Sequence, residues 1–264
     1  MIAKKITQLL TAVSCAAAGV AMSVSPAQAV QLFFGEDLHN NKDTRLGATP
    51  NADQAEMDFL ANLIGVGTED FEGFATGTSA PLTLSFPGAG TATLNGNGQV
   101  STVPVNGTNG NGRYSTSGTN FLETQVADGN FSIAFSEAIA AFGFFGVDIG
   151  DFGGQLELVL SLANGGTQTV SAGNTMGSGG STDGSVLYLG VLAESADELF
   201  TGITFQMSGG TMFNETFAFD DMTIGSLEQV IMPEPPADVP EPSAMVSLFA
   251  VGALGLGLRR KKTA

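Results

Sequence analysis

The sequence predicts an all-β fold, a two-sheet sandwich of jelly-roll type accompanied by one short helix. Short runs of Phe, Val, Leu and Ile alternate with Gly, Asn, Thr and Ser along the middle of the 264-residue chain. Several of these runs carry an apolar residue at every second position, as in strands with one buried face. Many short strands separated by turn residues favour two packed sheets.

Strands are predicted wherever such an apolar run is bounded by turn residues. Leu156, Leu158 and Leu160 share one face of a strand and alternate with more polar neighbours. The Asn-Gly-Gly segment at 164–166 is a turn signal that ends this strand. The predicted strands are 82–86, 91–94, 99–105, 130–135, 139–147, 155–162, 167–171, 185–192, 200–207 and 216–224.

One helix is predicted over 51–64, within an N-terminal segment, 30–70, that precedes the sandwich domain at 71–225. Acidic residues lie near its start and Gly65 follows its end, as is typical of helix termini. Its apolar stripe consists of Ala55, Phe59, Leu60, Leu63 and Ile64.

The first 29 residues predict a signal peptide for the Sec translocon. Lys4 and Lys5 precede a mostly apolar stretch, and Ala27 and Ala29 form a small-residue cleavage site. We expect cleavage after Ala29. An uncleaved anchor is a weaker alternative because the stretch is rich in Ala, Gly and Ser, and a lipoprotein modified at Cys15 is weaker still.

The other end of the chain has three parts in a fixed order. The motif Val239-Pro240-Glu241-Pro242 precedes an apolar segment, 243–258, and a basic cluster, 259–262. The apolar segment predicts a transmembrane helix that the basic residues orient with its C-terminus in the cytoplasm. A linker rich in Pro and acidic residues, 226–238, joins the sandwich to this tail.

This tail, 239–264, resembles the PEP-CTERM sorting signal of Gram-negative bacteria, with all four motif residues matching. The resemblance implies that an exosortase processes the tail after a transient stay in the inner membrane. It also implies delivery to the cell surface or the exopolysaccharide matrix. The two prolines hold the motif extended, which suits a processing enzyme. A plain C-terminal anchor is the alternative.

The exported part of the chain is strongly acidic. Outside the two ends only Lys42, Arg45 and Arg113 are basic, whereas all 26 acidic residues follow the signal peptide. Such a surface repels nucleic acid and favours hard cations such as Ca²⁺. The single cysteine lies in the signal peptide, so the mature domain has no disulfide and depends on its core.

Three segments carry a second resemblance: Phe71-Glu72-Gly73-Phe74, 143–156 and 217–223. They resemble the ectodomain common among PEP-CTERM proteins and, less closely, galactose-binding-like carbohydrate-binding jelly rolls. The second likeness implies a structural Ca²⁺ held by Glu72 and by Asp220 or Asp221, with further oxygens completing the shell. Solvated strand residues are the alternative for these acids. Asp148 and Asp151 are interpreted as turn and capping residues, with a cation as a weaker possibility.

The sequence gives little support to an enzyme. His39 is the only histidine, the mature chain has no cysteine, and no G-x-S-x-G motif is present. A carboxylate pair for glycoside hydrolysis is made by folding and leaves no sequence signature. Without Trp, the best candidates for contacts to a sugar are Tyr114 and its neighbour Arg113, with a buried structural Tyr114 as the alternative.

Three functions therefore stand as hypotheses. The first is a non-catalytic protein of the cell surface or the exopolysaccharide matrix. The second is a Ca²⁺-dependent carbohydrate-binding module, and the third, with least support, is a secreted hydrolase.

Overall fold

The computed structural model describes residues 30–126, 130–178, 181–209 and 215–231. The predicted signal peptide, the sorting motif and the predicted transmembrane helix at 243–258 lie outside these residues. No helix in the described part of the chain is long and apolar enough to cross a membrane.

Two antiparallel sheets and one α-helix make up the described residues. The helix, α1, spans Pro50–Leu60. The strands are β1 (Gln31–Asp37), β2 (Gly67–Glu69), β3 (Leu82–Phe86), β4 (Gly90–Asn95), β5 (Gln99–Thr102), β6 (Asn120–Val126), β7 (Ser132–Ile139), β8 (Ala141–Val147), β9 (Gly154–Leu162), β10 (Thr167–Ser171), β11 (Val186–Leu192), β12 (Phe200–Gly209) and β13 (Glu215–Gly225).

The strand order defines two layers. The first sheet runs β1-β11-β8-β13-β6-β5, and β2 also pairs with β13; the second runs β10-β9-β12-β7-β4-β3. The predicted all-β two-sheet sandwich with one helix is confirmed. All ten predicted strands are present, and β1, β2 and β6 were not predicted.

Phenylalanine rings fill the space between the sheets. Phe144 of the first sheet stacks on Phe219 at 4.8 Å between ring centroids, and Phe131 meets Phe205 at 4.5 Å. These four side chains are fully buried. The alternation of β9 places Leu156, Leu158 and Leu160 in this core, as predicted, and Leu162 continues the same face.

Two strands of the first sheet, β8 and β11, are buried on both faces because α1 lies across the outer face. Phe59 of α1 is fully buried against this face, where Gly190 approaches it so closely that a Cβ there would lie 2.7 Å from the ring. Double burial explains why both strands are continuous apolar runs without polar alternation.

The helix is shorter than its predicted span of 51–64. Its first turn is fixed by Asp37 of β1, whose carboxylate accepts hydrogen bonds from the N–H groups of Asn51 and Ala52. After Ala61 the chain leaves the helix because Leu63 forms a β-bridge with Val230. The described start of the predicted linker, 226–231, therefore packs beside the end of α1.

Candidate functional site

The loop between β5 and β6, residues 103–119, is fixed to the outer face of the first sheet by Arg45. The guanidinium donates to the carbonyl oxygens of Gly107 at 2.7 Å, Ser115 at 3.1 Å and Pro104 at 3.4 Å. It also lies 4.9 Å from the centre of the Tyr114 ring. The guanidinium of Arg45 thus holds the loop by donating hydrogen bonds to the loop's own carbonyl oxygens.

Tyr114, a predicted sugar contact, is only 4% exposed. Its hydroxyl donates to the carbonyl oxygen of Gly184 at 2.8 Å and accepts from the N–H of Leu46 at 3.2 Å. The side chain therefore packs as a structural tyrosine, and part of it contributes to the wall of the cavity described below.

Arg113, the other predicted contact, connects separate parts of the first sheet. It pairs with Glu123 at 2.8 Å and with the buried Asp148 at 3.1 Å, and it donates to the carbonyl oxygen of Thr216 at 2.9 Å. Through Asp148, Arg113 contacts a group of acids that we call the buried acidic cluster; it consists of Asp148, Asp151, the half-buried Asp183 and Glu215.

Three acids of this cluster, Asp148, Asp151 and Asp183, each place one carboxylate oxygen within 4.8 Å of the others. Asp151 accepts hydrogen bonds from the N–H and the hydroxyl of Thr182, and Asp148 accepts one from the N–H of Gly184. Asp148 and Asp151 were interpreted as turn and capping residues of their own connection, but the hydrogen bonds of their carboxylates go to the distant 182–184 segment. Asp183 and Glu215 were not identified because only the fold brings them near Asp148.

Burial dominates the electrostatics of the cluster. It raises the pKa of Asp148 to about 7, with a further increase from the charge of Asp151 and a partial decrease from Arg113. Burial, followed by the charges of Asp151 and Asp148, raises the pKa of Glu215 to about 8. The pKa of Asp183 rises to about 6 through burial and its contact with Asp151. One arginine therefore does not neutralise the cluster.

The residues predicted to hold Ca²⁺ lie on two sides of one short segment, 116–120. Glu72 follows β2 and accepts hydrogen bonds from the N–H groups of Thr119 and Asn120. These N–H groups lower the pKa of Glu72 below its usual value.

Asp220 and Asp221 form the other side, at a bulge in β13. Asp221 has a φ of 46°, and its two carboxylate oxygens accept hydrogen bonds from the hydroxyls of Thr116 and Ser117, both at 2.7 Å. Asp220 is fully buried and accepts from the N–H of Thr116 at 2.7 Å. Burial, followed by the charge of Asp221, raises the pKa of Asp220 well above its usual value.

The oxygen chemistry of these three acids fits a hard cation, but their carboxylates already accept hydrogen bonds from the 116–120 segment. Among the described residues, the acids whose oxygens gather within 4.8 Å of one another are Asp148, Asp151 and Asp183 instead.

A cavity of about 380 Å³ opens between the start of α1, the 114–117 segment and the bulge of β13; we call it the acidic cavity. The sheet contributes Phe145 and Val186 to its wall, and Arg45 lies at its side. Three carboxylates line it, from Asp53, Glu56 and Asp221.

Sequence reasoning missed Glu56, which lines this cavity, whereas Tyr188 lies outside the lining. Half-burial, with the charges of Asp221 and Asp53, raises the pKa of Glu56 to about 7. Tyr188 is fully buried against the ring of Phe145, and its hydroxyl has no hydrogen-bond partner among the described residues. Burial and the charges of Glu56 and Asp221 raise the pKa of Tyr188.

Comparison with known proteins identifies the tail. Residues 238–261 match the model of the PEP-CTERM protein-sorting motif, which confirms the predicted sorting signal. The motif indicates an exported, surface-directed protein that an exosortase processes. No protein with a curated description matches the chain significantly.

Among solved structures, the chain is similar to the K2 cleaved adhesin domain of Lys-gingipain. The two share 15% sequence identity with a TM-score of 0.33, and the match covers 60% of this chain and 97% of that domain.

Proposed function

We propose that this protein is a non-catalytic component of the cell surface or the exopolysaccharide matrix, with a jelly-roll-type sandwich as its exported domain. The observation that carries the proposal is the sorting motif at 238–261. The strongly acidic composition outside the two ends suits a hydrated matrix and disfavours nucleic acid as a partner.

The route follows from the tail. The chain enters the Sec translocon by its signal peptide, loses residues 1–29, and pauses in the inner membrane through 243–258. The exosortase then acts near Glu241, where the two prolines keep the backbone extended and accessible.

The environment of His39 supports a non-catalytic role over a secreted hydrolase. Its ring Nε2 lies 3.1 Å from the hydroxyl of Thr44 in an exposed segment. A catalytic base is instead buried and held in one orientation toward the substrate.

The test uses the native host and two matched variants. Glu241→Ala changes the sorting motif, whereas Glu234→Ala changes the similar Met-Pro-Glu-Pro sequence at 232–235, which is not directly followed by an apolar run in the sequence. We expect the first variant to accumulate uncleaved in the inner membrane and the second to reach the surface normally. Normal delivery of Glu241→Ala, measured by fractionation and immunoblotting, would contradict the proposed route.

As a second candidate we propose a Ca²⁺-dependent carbohydrate-binding module with Glu72, Asp220 and Asp221 as ion ligands. It is supported by the position of these acids on the two sides of the 116–120 segment, where Glu72 accepts hydrogen bonds from the N–H groups of Thr119 and Asn120 and Asp220 accepts one from that of Thr116. The hydroxyls of Thr116 and Ser117 add oxygen donors beside these acids.

Thermal melting of the exported protein with excess Ca²⁺ or chelator, beside a polysaccharide pull-down, tests this candidate. Calcium should raise the melting temperature, and Glu72→Gln should remove that rise. Polysaccharide retention that disappears with chelator would favour the binding module. Melting that calcium does not change would exclude it and leave the first proposal intact.

A further inference from the structure

The first sheet has an open edge at β1, which pairs with β11 and with no other strand among the described residues. Two hydrogen bonds establish which backbone groups lie on that edge. The N–H of Asp148 donates to the carbonyl oxygen of Ser185, and the N–H of Ala193 donates to that of Ala140. Both pairs continue the register of β8 with β11, in which hydrogen-bonded pairs alternate along the strands. The odd-numbered residues of β11 therefore bond β8, and the even-numbered ones bond β1.

The partners of those even-numbered residues are the odd-numbered residues of β1. The N–H and C=O groups of Leu32, Phe34 and Glu36 consequently point away from β11, toward the open edge. In agreement with this direction, the carbonyl oxygen of Glu36 accepts a hydrogen bond from the side chain of Asn51 in α1 at 3.2 Å.

The side chains at this edge are apolar and exposed. Leu32 is 46% exposed and Phe34 is 37% exposed. They lie opposite Val191 and Leu189 of β11, which belong to the core between the sheets. Because directly opposed residues share one face of a sheet, Leu32 and Phe34 extend that core beyond its last covered strand.

The other edge strands carry features that hinder pairing with another chain. The exposed side chains of β10 are threonine and serine, and β3 is flanked by Pro81 and Pro87. β5 is only four residues long and is covered by a bridge between Ser79 and Gln99. β1 spans seven residues without proline, lysine or a register shift, so its edge is suited to accept a further strand.

The strand is complementary to a second copy of itself. When two β1 strands pair antiparallel with Phe33 on the two-fold axis, Leu32 of each copy lies opposite Phe34 of the other. The backbone groups of both positions face outward, so these pairs are of the hydrogen-bonded type. In the same register Val30 lies opposite Glu36, and removal of the proposed signal peptide leaves the ammonium group of Val30 near that carboxylate.

We propose that β1 is a homodimer interface, in which two copies join their first sheets into one continuous sheet. A second copy fits this edge because apolar side chains meet apolar side chains and the positive end of each strand meets the acidic end of the other. The interface is separate from the sorting tail and from the residues of the calcium candidate.

Sedimentation of the exported protein, purified from the native host, over a range of concentrations tests the proposal. At about 0.15 M salt, charges more than about 8 Å apart are largely screened, so the net negative charge of the copies does not prevent association. We expect the wild-type protein to dimerise and Phe34→Lys to raise the Kd at least about tenfold, because it places a charge on the apolar edge. Val105→Lys changes an exposed apolar residue beyond β5 and is the control.

Cysteine cross-linking tests the register independently of affinity. An oxidised mixture of Leu32→Cys and Phe34→Cys proteins should form a disulfide-linked dimer, because these positions lie opposite each other in the paired strands. Each variant alone should form far less. The wild-type protein, whose single cysteine is Cys15 of the signal peptide, gives the background. A monomeric wild-type protein, unchanged association of Phe34→Lys, or no cross-link above background in the mixture would each overturn the proposal.

Discussion

Arg113 and Asp148 form a buried ion pair, with Nε 3.1 Å from the carboxylate and the Asp148 side chain only 1% exposed. The pair joins the 103–119 loop to the end of β8. Asp151 and Glu215 lie near Asp148, so negative charge is concentrated there. Arg113 is the cation that favours the ionised form of Asp148 in this setting.

The first prediction concerns this pair. Arg113→Met should lower the free energy of unfolding by ~3 kcal/mol at pH 8, because it leaves a buried carboxylate without its partner. The loss should be smaller at pH 5, where Asp148 is protonated. Urea unfolding measures both values. Lys42→Met is the control, because its ion pair with Asp43 is exposed and worth little. Equal losses for the two variants would contradict the role assigned to Arg113.

The second prediction is a pH dependence of stability. Glu56, Asp148 and Glu215 have folded-state pKa values of about 7, 7 and 8, all above the values of the unfolded chain. The folded protein therefore keeps protons that the unfolded chain has lost between about pH 4 and pH 8. Unfolding releases protons in this range, so stability falls as pH rises.

In a buffer with chelator, the free energy of unfolding measured with urea should drop by ~3 kcal/mol between pH 5 and pH 8. This figure allows for relaxation of the buried groups. Glu72 has a lowered pKa and acts in the opposite sense, but its stabilisation is lost only at lower pH. Stability that is constant or rising up to pH 8 would contradict this prediction.

The third prediction tests the close packing under α1. A Cβ at Gly143 would lie 2.2 Å from the Tyr188 hydroxyl, so Gly143→Ala should cost ~1–3 kcal/mol by overpacking. Tyr188→Phe removes the clashing oxygen and should recover part of this loss in the double variant. Gly47→Ala has open space around its Cβ and serves as the control. If the change in unfolding free energy of the double variant equals the sum of the two single changes, the Tyr188 hydroxyl is not the source of the clash.

Local patterns were sufficient to predict much of the sheet structure. The alternation of Leu156, Leu158 and Leu160 predicted both a strand and its buried face. The predicted helix stripe was right for Ala55 and Phe59, which are buried, and wrong for Ile64, which lies beyond the end of α1 and is exposed. β1 was missed because its sequence, QLFFGED, lacks a clean alternation and gains its place only by pairing with β11, about 150 residues later.

The candidate sites were less predictable because they join distant segments. The resemblance to carbohydrate-binding jelly rolls implied that Glu72 lies near Asp220 or Asp221, and β2, which precedes Glu72, pairs with β13. Nothing local indicates that Glu215 lies beside Asp148, or that Glu56 on the edge of the helix faces Asp221. These contacts form only when α1 and the 103–119 loop pack against the first sheet.

The fourth prediction concerns the repulsion within the buried acidic cluster. Asp151 raises the pKa of Asp148, Asp183 and Glu215, so Asp151→Asn should stabilise the protein at pH 8 by roughly 1 kcal/mol. The asparagine oxygen can still accept the hydrogen bonds that Thr182 donates to Asp151. The stabilisation should vanish at pH 5, where the neighbouring carboxyls hold their protons. Glu137→Gln, at an exposed position, is the control and should change the stability at neither pH. A loss of stability in Asp151→Asn at pH 8 would contradict the prediction, because it would mean that the charge of Asp151 stabilises the fold.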